Sequence, residues 1–202
     1  MSRWSAIGEA IRHPIIGRLM LLTFLVGFAF TGIESIFGLW AQAKFDWGPR
    51  EIGVCFAFVG VAAAVTQMFV TGRLSERFGE GRMLAVGMGI TVLSAAGLTM
   101  SPGGGVTIAL MCLTAVGQSV AWPNVGSMIS QTADPHRQGQ ILGLNNATGA
   151  LARVVGPFCA GLIFPVAIDG PFILGALVVA PAIFLALAAS RRVAASRADG
   201  RP

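Results

Sequence analysis

Residues 54–71 and 83–101 are two apolar runs without a charged residue, and the segment between them, Gly72-Arg-Leu-Ser-Glu-Arg-Phe-Gly-Glu-Gly-Arg82, holds three arginines and two glutamates. As a helix rising 1.5 Å per residue, either run is about long enough to cross the ~30 Å hydrocarbon core of a bilayer. Five charges in one short stretch cannot rest in hydrocarbon, so the stretch reads as a turn at a membrane surface. A chain with this alternation has few folds open to it, because backbone polar groups in lipid must be satisfied within the protein.

The rest of the chain repeats the pattern. Apolar spans are expected over about 19–41, 52–72, 83–101, 106–132, 139–164 and 172–190. Between them lie polar or glycine- and proline-rich turns: Lys44 to Glu51, the charged stretch, Ser101-Pro-Gly-Gly-Gly105, Asp134 to Gln138, and Pro165 to Pro171. Residues 1–18 mix isoleucines and Trp4 with arginines and suit an interfacial segment broken at Pro14, without the pattern of a signal peptide. Residues 191–202 form a basic, frayed tail. The fold class is therefore all-α, a bundle of six transmembrane helices with no soluble domain, and Pro123 predicts a kink in the fourth.

Charge sets the orientation. With six spans both termini share a side, and that side carries eleven arginines (3, 12, 18, 73, 77, 82, 137, 191, 192, 197 and 201) against Lys44 and Arg50 on the other. Positive charge is retained on the cytoplasmic face, so both termini and the 72–82 stretch are expected there, in a bacterial inner membrane. A net charge of +5 suggests nucleic acid at first sight, but these arginines sit at the ends of apolar runs and not on a folded basic face. Nucleic-acid binding is excluded on that ground.

Catalytic readings fare badly. Both histidines, His13 and His136, fall outside the spans, and no carboxylate pair, Cys–His pair or metal-ligand cluster falls inside them. Cys55, Cys112 and Cys159 all lie in apolar runs and read as small hydrophobes. No phosphate-cradling glycine loop is present. Neither an enzyme, nor a metal, nor a cofactor is expected.

Two ionisable residues fall within the spans, Glu34 and Arg153, each sixteen residues past an arginine at the cytoplasmic edge (Arg18 and Arg137). Both are then expected roughly 24 Å into the membrane, a depth at which they can pair. Thr23, Gly27, Thr31 and Gly38 share the face of Glu34, and Asn145, Asn146, Gly149 and Gly156 that of Arg153. Gln118 and Trp122 lie on the fourth span, and Gly60, Ala64, Gln67 and Thr71 on the second. Small and weakly polar residues at such spacing serve helix packing, as the Gly139-x-x-x-Gly143 pattern suggests. Buried charge needs a further reason, so Glu34, Arg153, Gln118, Trp122, Asn145 and Asn146 are the candidates for a substrate and proton pathway. Trp122 serves equally as a packed aromatic. Gly156-Pro157 reads either as a kink or as a hinge.

Gly72-x-x-x-Glu76-Arg77-x-Gly79-x-x-Arg82 resembles the cytoplasmic loop motif of the major facilitator superfamily, which joins the second and third helices of each six-helix half. Phe37-Gly38, Phe45-x-Trp47, Ile52-Gly53, Pro123, Arg137-Gln-Gly-Gln140 and Gly156-Pro157 are placed as in the C-terminal half of proton-coupled drug antiporters of the tetracycline type. The resemblance runs from about residue 15 to 190. It implies a 3+3 inverted repeat, 19–101 and 106–190, and proton-coupled export of small amphipathic molecules by alternating access. It also implies a latch at the 72–82 loop, which on a half-length chain demands a second copy or a separate N-terminal half. Glycines at 72 and 79 permit a positive φ, and Glu76 suits a neighbouring helix N-terminus, although an ordinary solvated turn carries the same charges. The alternative to transport is a membrane scaffold, a regulatory partner or an inactive transporter fragment.

Overall fold

The computed structural model describes residues 15–134 and 136–198, so the expectations for residues 1–14, Pro135 and residues 199–202 lie outside it. Among the described residues there are six helical rods and no strand. We label them α1 (Ile16–Phe45), α2 (Pro49–Phe78), α3 (Glu80–Thr99), α4 (Gly104–Thr132), α5 (Gln138–Ile163) and α6 (Gly170–Ala198). The helix α6 continues to Ala198, beyond the span end expected at 190. All but α5 are long and apolar enough to cross a membrane by length and composition. The helix α5 carries Asn145, Asn146 and Arg153, and these polar residues lower its hydropathy although its length suffices.

The ends of the rods follow from local chemistry. Asp46 stops α1 in a left-handed conformation at φ 57, with its N–H on the Gln42 carbonyl. Pro49 opens α2, where its missing N–H costs nothing, and Glu51 Oε2 accepts the Gly48 N–H at 3.0 Å. The charged stretch differs from expectation. It is helix, not turn: α2 runs on through Phe78 and α3 starts at Glu80, so Gly79 alone reverses the chain. Gly79 has the predicted positive φ (85), whereas Gly72 is helical at φ −60. One glycine is enough because a residue without Cβ can leave one helix and enter the next within a single peptide.

The helix α1 packs against α4, α5 and α6, α3 against α4 and α6, and α2 against α4. Exchanging α1–α3 for α4–α6 maps this set of pairings onto itself, which is compatible with a 3+3 repeat. Two apolar cores result. One gathers Leu19, Leu22, Leu84, Met88, Met128 and Ile129 toward the arginine-rich end. The other is aromatic, with Phe37, Trp40 and Phe172 fully buried at the opposite end. There Trp40 Nε1 and Lys44 Nζ both donate to Asp169 Oδ1 (2.7 and 3.0 Å), and Lys44 also donates to the Thr99 carbonyl at 2.7 Å. This bonding ties α1, α3 and the α5–α6 connection together.

Glycine decides where backbones touch. A Cβ at Gly156 would lie 2.5 Å from the Phe28 carbonyl oxygen on α1, and one at Gly87 2.6 Å from the Gly117 oxygen on α4. The Gly139-x-x-x-Gly143 pattern does not act this way: nothing lies within 4 Å of a Cβ at either residue. Nor does Gly60 meet a neighbour, because most of α2 is bare, with Phe58, Val61, Val65, Met68 and Phe69 exposed. Pattern alone does not say which glycine stripe faces a helix.

Replacing Gly156 with alanine should therefore destabilise the bundle by about 1–3 kcal/mol, since backbone cannot yield as a side chain can. Gly143→Ala should leave stability unchanged or slightly raised. Denaturation midpoints in mixed micelles, followed by circular dichroism, compare the two.

Candidate functional site

Pro123 lies inside α4 and has no N–H to give to the carbonyl four residues back, that of Ser119. In a membrane interior that acceptor has no water to turn to. The structure supplies Thr71 from α2, whose Oγ1 lies 3.1 Å from the Ser119 oxygen and 3.1 Å from the Thr66 oxygen. Thr66–Thr71 is a π-turn, a local widening of α2. The sequence shows the proline but not the widened turn, and it places Thr71 on a packing face without its partner.

Next to the proline, Trp122 is wedged between α1 and α5. Cβ atoms at Gly27 and Gly149 would lie 3.2 and 2.8 Å from its ring, so those two glycines make the slot. The Arg153 guanidinium carbon lies 5.8 Å from the ring centroid, within cation–π range. Gly149 precedes Arg153 by about one helical turn, as Gln118 precedes Trp122, and α4 and α5 run in opposite directions. Gln118 and Arg153 therefore occupy the same layer. Gln118 Oε1 and Asn145 Oδ1 are buried without a hydrogen-bond partner. Asn145 lies about a turn below Gly149, and Asn146 beside it is exposed.

Glu34 is not in that layer. Helices α1 and α5 run parallel, with Thr23 beside Gly149, Gly27 against Ala152 and Gly32 against Gly156. That register puts Arg153 level with Phe28, about six residues and ~9 Å short of Glu34. No ion pair joins the two among the described residues; Arg153 lies by Trp122, and both Arg153 and Glu34 are exposed on the bundle. Equal counting from the flanking arginines missed this because the two helices do not begin at the same height. Gly156 and Pro157, the candidate hinge, sit where α5 touches the α1 backbone.

At the arginine-rich end, Gly72, Glu76, Arg77, Gly79 and Arg82 are all exposed. Arg77 stacks on Phe78, with its guanidinium carbon 5.5 Å from the ring centroid. The residue of this stretch that bonds inward is Glu80, whose Oε1 accepts from Ser127 Oγ at 2.6 Å and Gln131 Nε2 at 2.5 Å on α4. An acid at the first position of a helix was the available signal, and it was overlooked among the motif's other charges.

The profile of the Major Facilitator Superfamily matches residues 19–201. The chain belongs to that superfamily. Tetracycline resistance protein, class C, of Escherichia coli is 29% identical over 184 residues, covering 91% of this chain and 46% of that protein. Multidrug resistance protein 2 of Bacillus subtilis (strain 168) is 24% identical over 166 residues, covering 82% of this chain and 41% of that one. The solved structure of the human organic anion transporter MFSD10 (TETRAN) superposes with a TM-score of 0.81 at 21% identity, over 89% of this chain and 44% of that chain. The chain thus spans less than half the length of these relatives. It is a multi-pass membrane protein of a transporter family.

Thr71→Val should leave the Ser119 carbonyl orphaned and cost about 1–3 kcal/mol, while Thr71→Ser should recover most of that. Denaturation midpoints of the two variants in mixed micelles check it, and amide hydrogen exchange along α4 should quicken in the valine variant alone.

Proposed function

We propose that this chain is one six-helix half of a proton-coupled exporter of small, amphipathic molecules that works by alternating access in a bacterial inner membrane, with both termini cytoplasmic. The observation that carries the reading is the polar strip around Trp122: exposed Arg153 lies within cation–π range of its ring, and Gln118 Oε1 in the same layer and Asn145 Oδ1 about two turns below Arg153 are buried without a hydrogen-bond partner. Unfilled polar groups at membrane depth belong beside a cavity that something polar crosses. Glu34, exposed at a different height from Arg153, is the candidate proton carrier, since a lone carboxyl facing the bundle's bare side can gain and lose a proton with no cation holding it charged. A hinge at Gly156-Pro157 would let α5 tilt during the cycle.

The remaining wall of the pathway comes from a second copy or from a separate N-terminal half. The bare apolar side of α2, together with Leu151, Val154, Phe158 and Leu162 of α5, offers the surface for it. The chain spans about half the length of the relatives named above, and the second reading is a scaffold or inactive fragment. Oligomeric state in mild detergent separates the two.

In liposomes holding the assembled transporter, Glu34→Gln should abolish substrate movement driven by a pH gradient and leave exchange of substrate across the membrane. Gradient-driven transport that survives the substitution removes Glu34 from the mechanism. If the partner is a second copy, Ser75→Cys and Gln140→Cys should cross-link between chains; a link formed only within one chain counts against the homodimer.

A further inference from the structure

The unfilled groups of the Trp122 layer are not balanced between donors and acceptors. None of the Arg153 guanidinium N–H groups bonds another described residue, and a guanidinium presents five donors in a rigid fork and no acceptor. Arginine does not lose its proton at such a site. Arg153 is exposed on the flank of the bundle, far from either end of α5. It stands about 15 residues from the start of α5 and 10 from its end, on the order of 15–22 Å from either. The guanidinium carbon lies 5.8 Å from the Trp122 ring centroid, within cation–π range. In the same layer, among the described residues, Gln118 Oε1 is a buried side-chain acceptor without a donor. Glu34, the acid on the adjacent helix, lies ~9 Å away along the axis by the helix register.

We propose that this layer selects a small organic anion, whose carboxylate-type group takes the fork of Arg153 while a hydroxyl or N–H elsewhere on the molecule donates to Gln118 Oε1. This rests on the transporter reading and names its substrate class. Trp122 is a positioning residue here: it keeps the guanidinium at a fixed height, and the glycines at 27 and 149 keep Trp122 in place. A cationic substrate would meet an uncompensated positive charge in a medium that screens poorly, which opposes binding at this layer.

The test uses the full chain in lipid nanodiscs with 4-hydroxybenzoate as the anionic probe. Its comparators are uncharged 4-hydroxybenzamide, benzoate without the hydroxyl, and tetraphenylphosphonium as the cation. Calorimetry should show saturable binding of 4-hydroxybenzoate, with the amide at least tenfold weaker. Arg153→Gln should weaken the anion about ten- to hundredfold and leave the amide unchanged, and Arg153→Lys should recover part of the loss. Gln118→Leu should erase the preference of 4-hydroxybenzoate over benzoate. A thermal melt of each variant confirms folding. Equal binding of anion and amide, anion binding indifferent to Arg153→Gln, tighter binding of tetraphenylphosphonium, or no binding of any probe overturns the assignment. Transport in liposomes is scored separately: Arg153-dependent binding with no movement of the anion sinks the transporter reading and keeps the site.

Discussion

Hydrocarbon offers no water, so each backbone group that a membrane helix fails to pair must find its partner inside the protein. This constraint explains more of the bundle than apolar packing does. Pro123 frees the Ser119 carbonyl, and Thr71 from another helix answers it. To reach it, α2 widens by a π-turn at Thr66–Thr71, with the Thr71 hydroxyl shared between its own helix and α4. One missing N–H thus fixes the height of α2 on α4, where α2 has few other buried side chains to hold it. Deviation from regular helix in one rod is matched by deviation in its neighbour.

Close approach is the second device. Lipid tails are as apolar as leucine, so helices in a bilayer gain by bringing backbones near and filling space. Gly156 lets α5 reach α1, and Gly87 with Gly117 lets α3 reach α4. The same contacts set the register that carries Arg153 to Trp122 and leaves Glu34 at another height. Packing and site are therefore one problem: the glycines that permit contact also decide which polar groups share a layer.

Much was legible from residue order. The six rods, the positive φ at Gly79 and the family all follow from apolar run length and a loop motif. The candidate layer was legible in part: Arg153, Trp122, Gln118 and Asn145 were singled out because polar groups in apolar runs demand a reason. Their grouping was not legible, since counting from flanking arginines assumes that helices start level. The role of Glu80 was hidden for a similar reason, because which acid of a charged stretch turns inward depends on what α4 presents to it.

Sequence by itself determined that this chain is a set of membrane-crossing helices with one charge-rich end, because hydrocarbon admits no other arrangement of such runs. Only the tertiary structure decided which glycine stripes touch, that Gly139 and Gly143 do not while Gly156 does, and that Arg153 lies by Trp122 instead of pairing with Glu34. The physical reason is that a helical period fixes which residues share a face, whereas the partner and height of that face follow from helix crossings that no local pattern encodes.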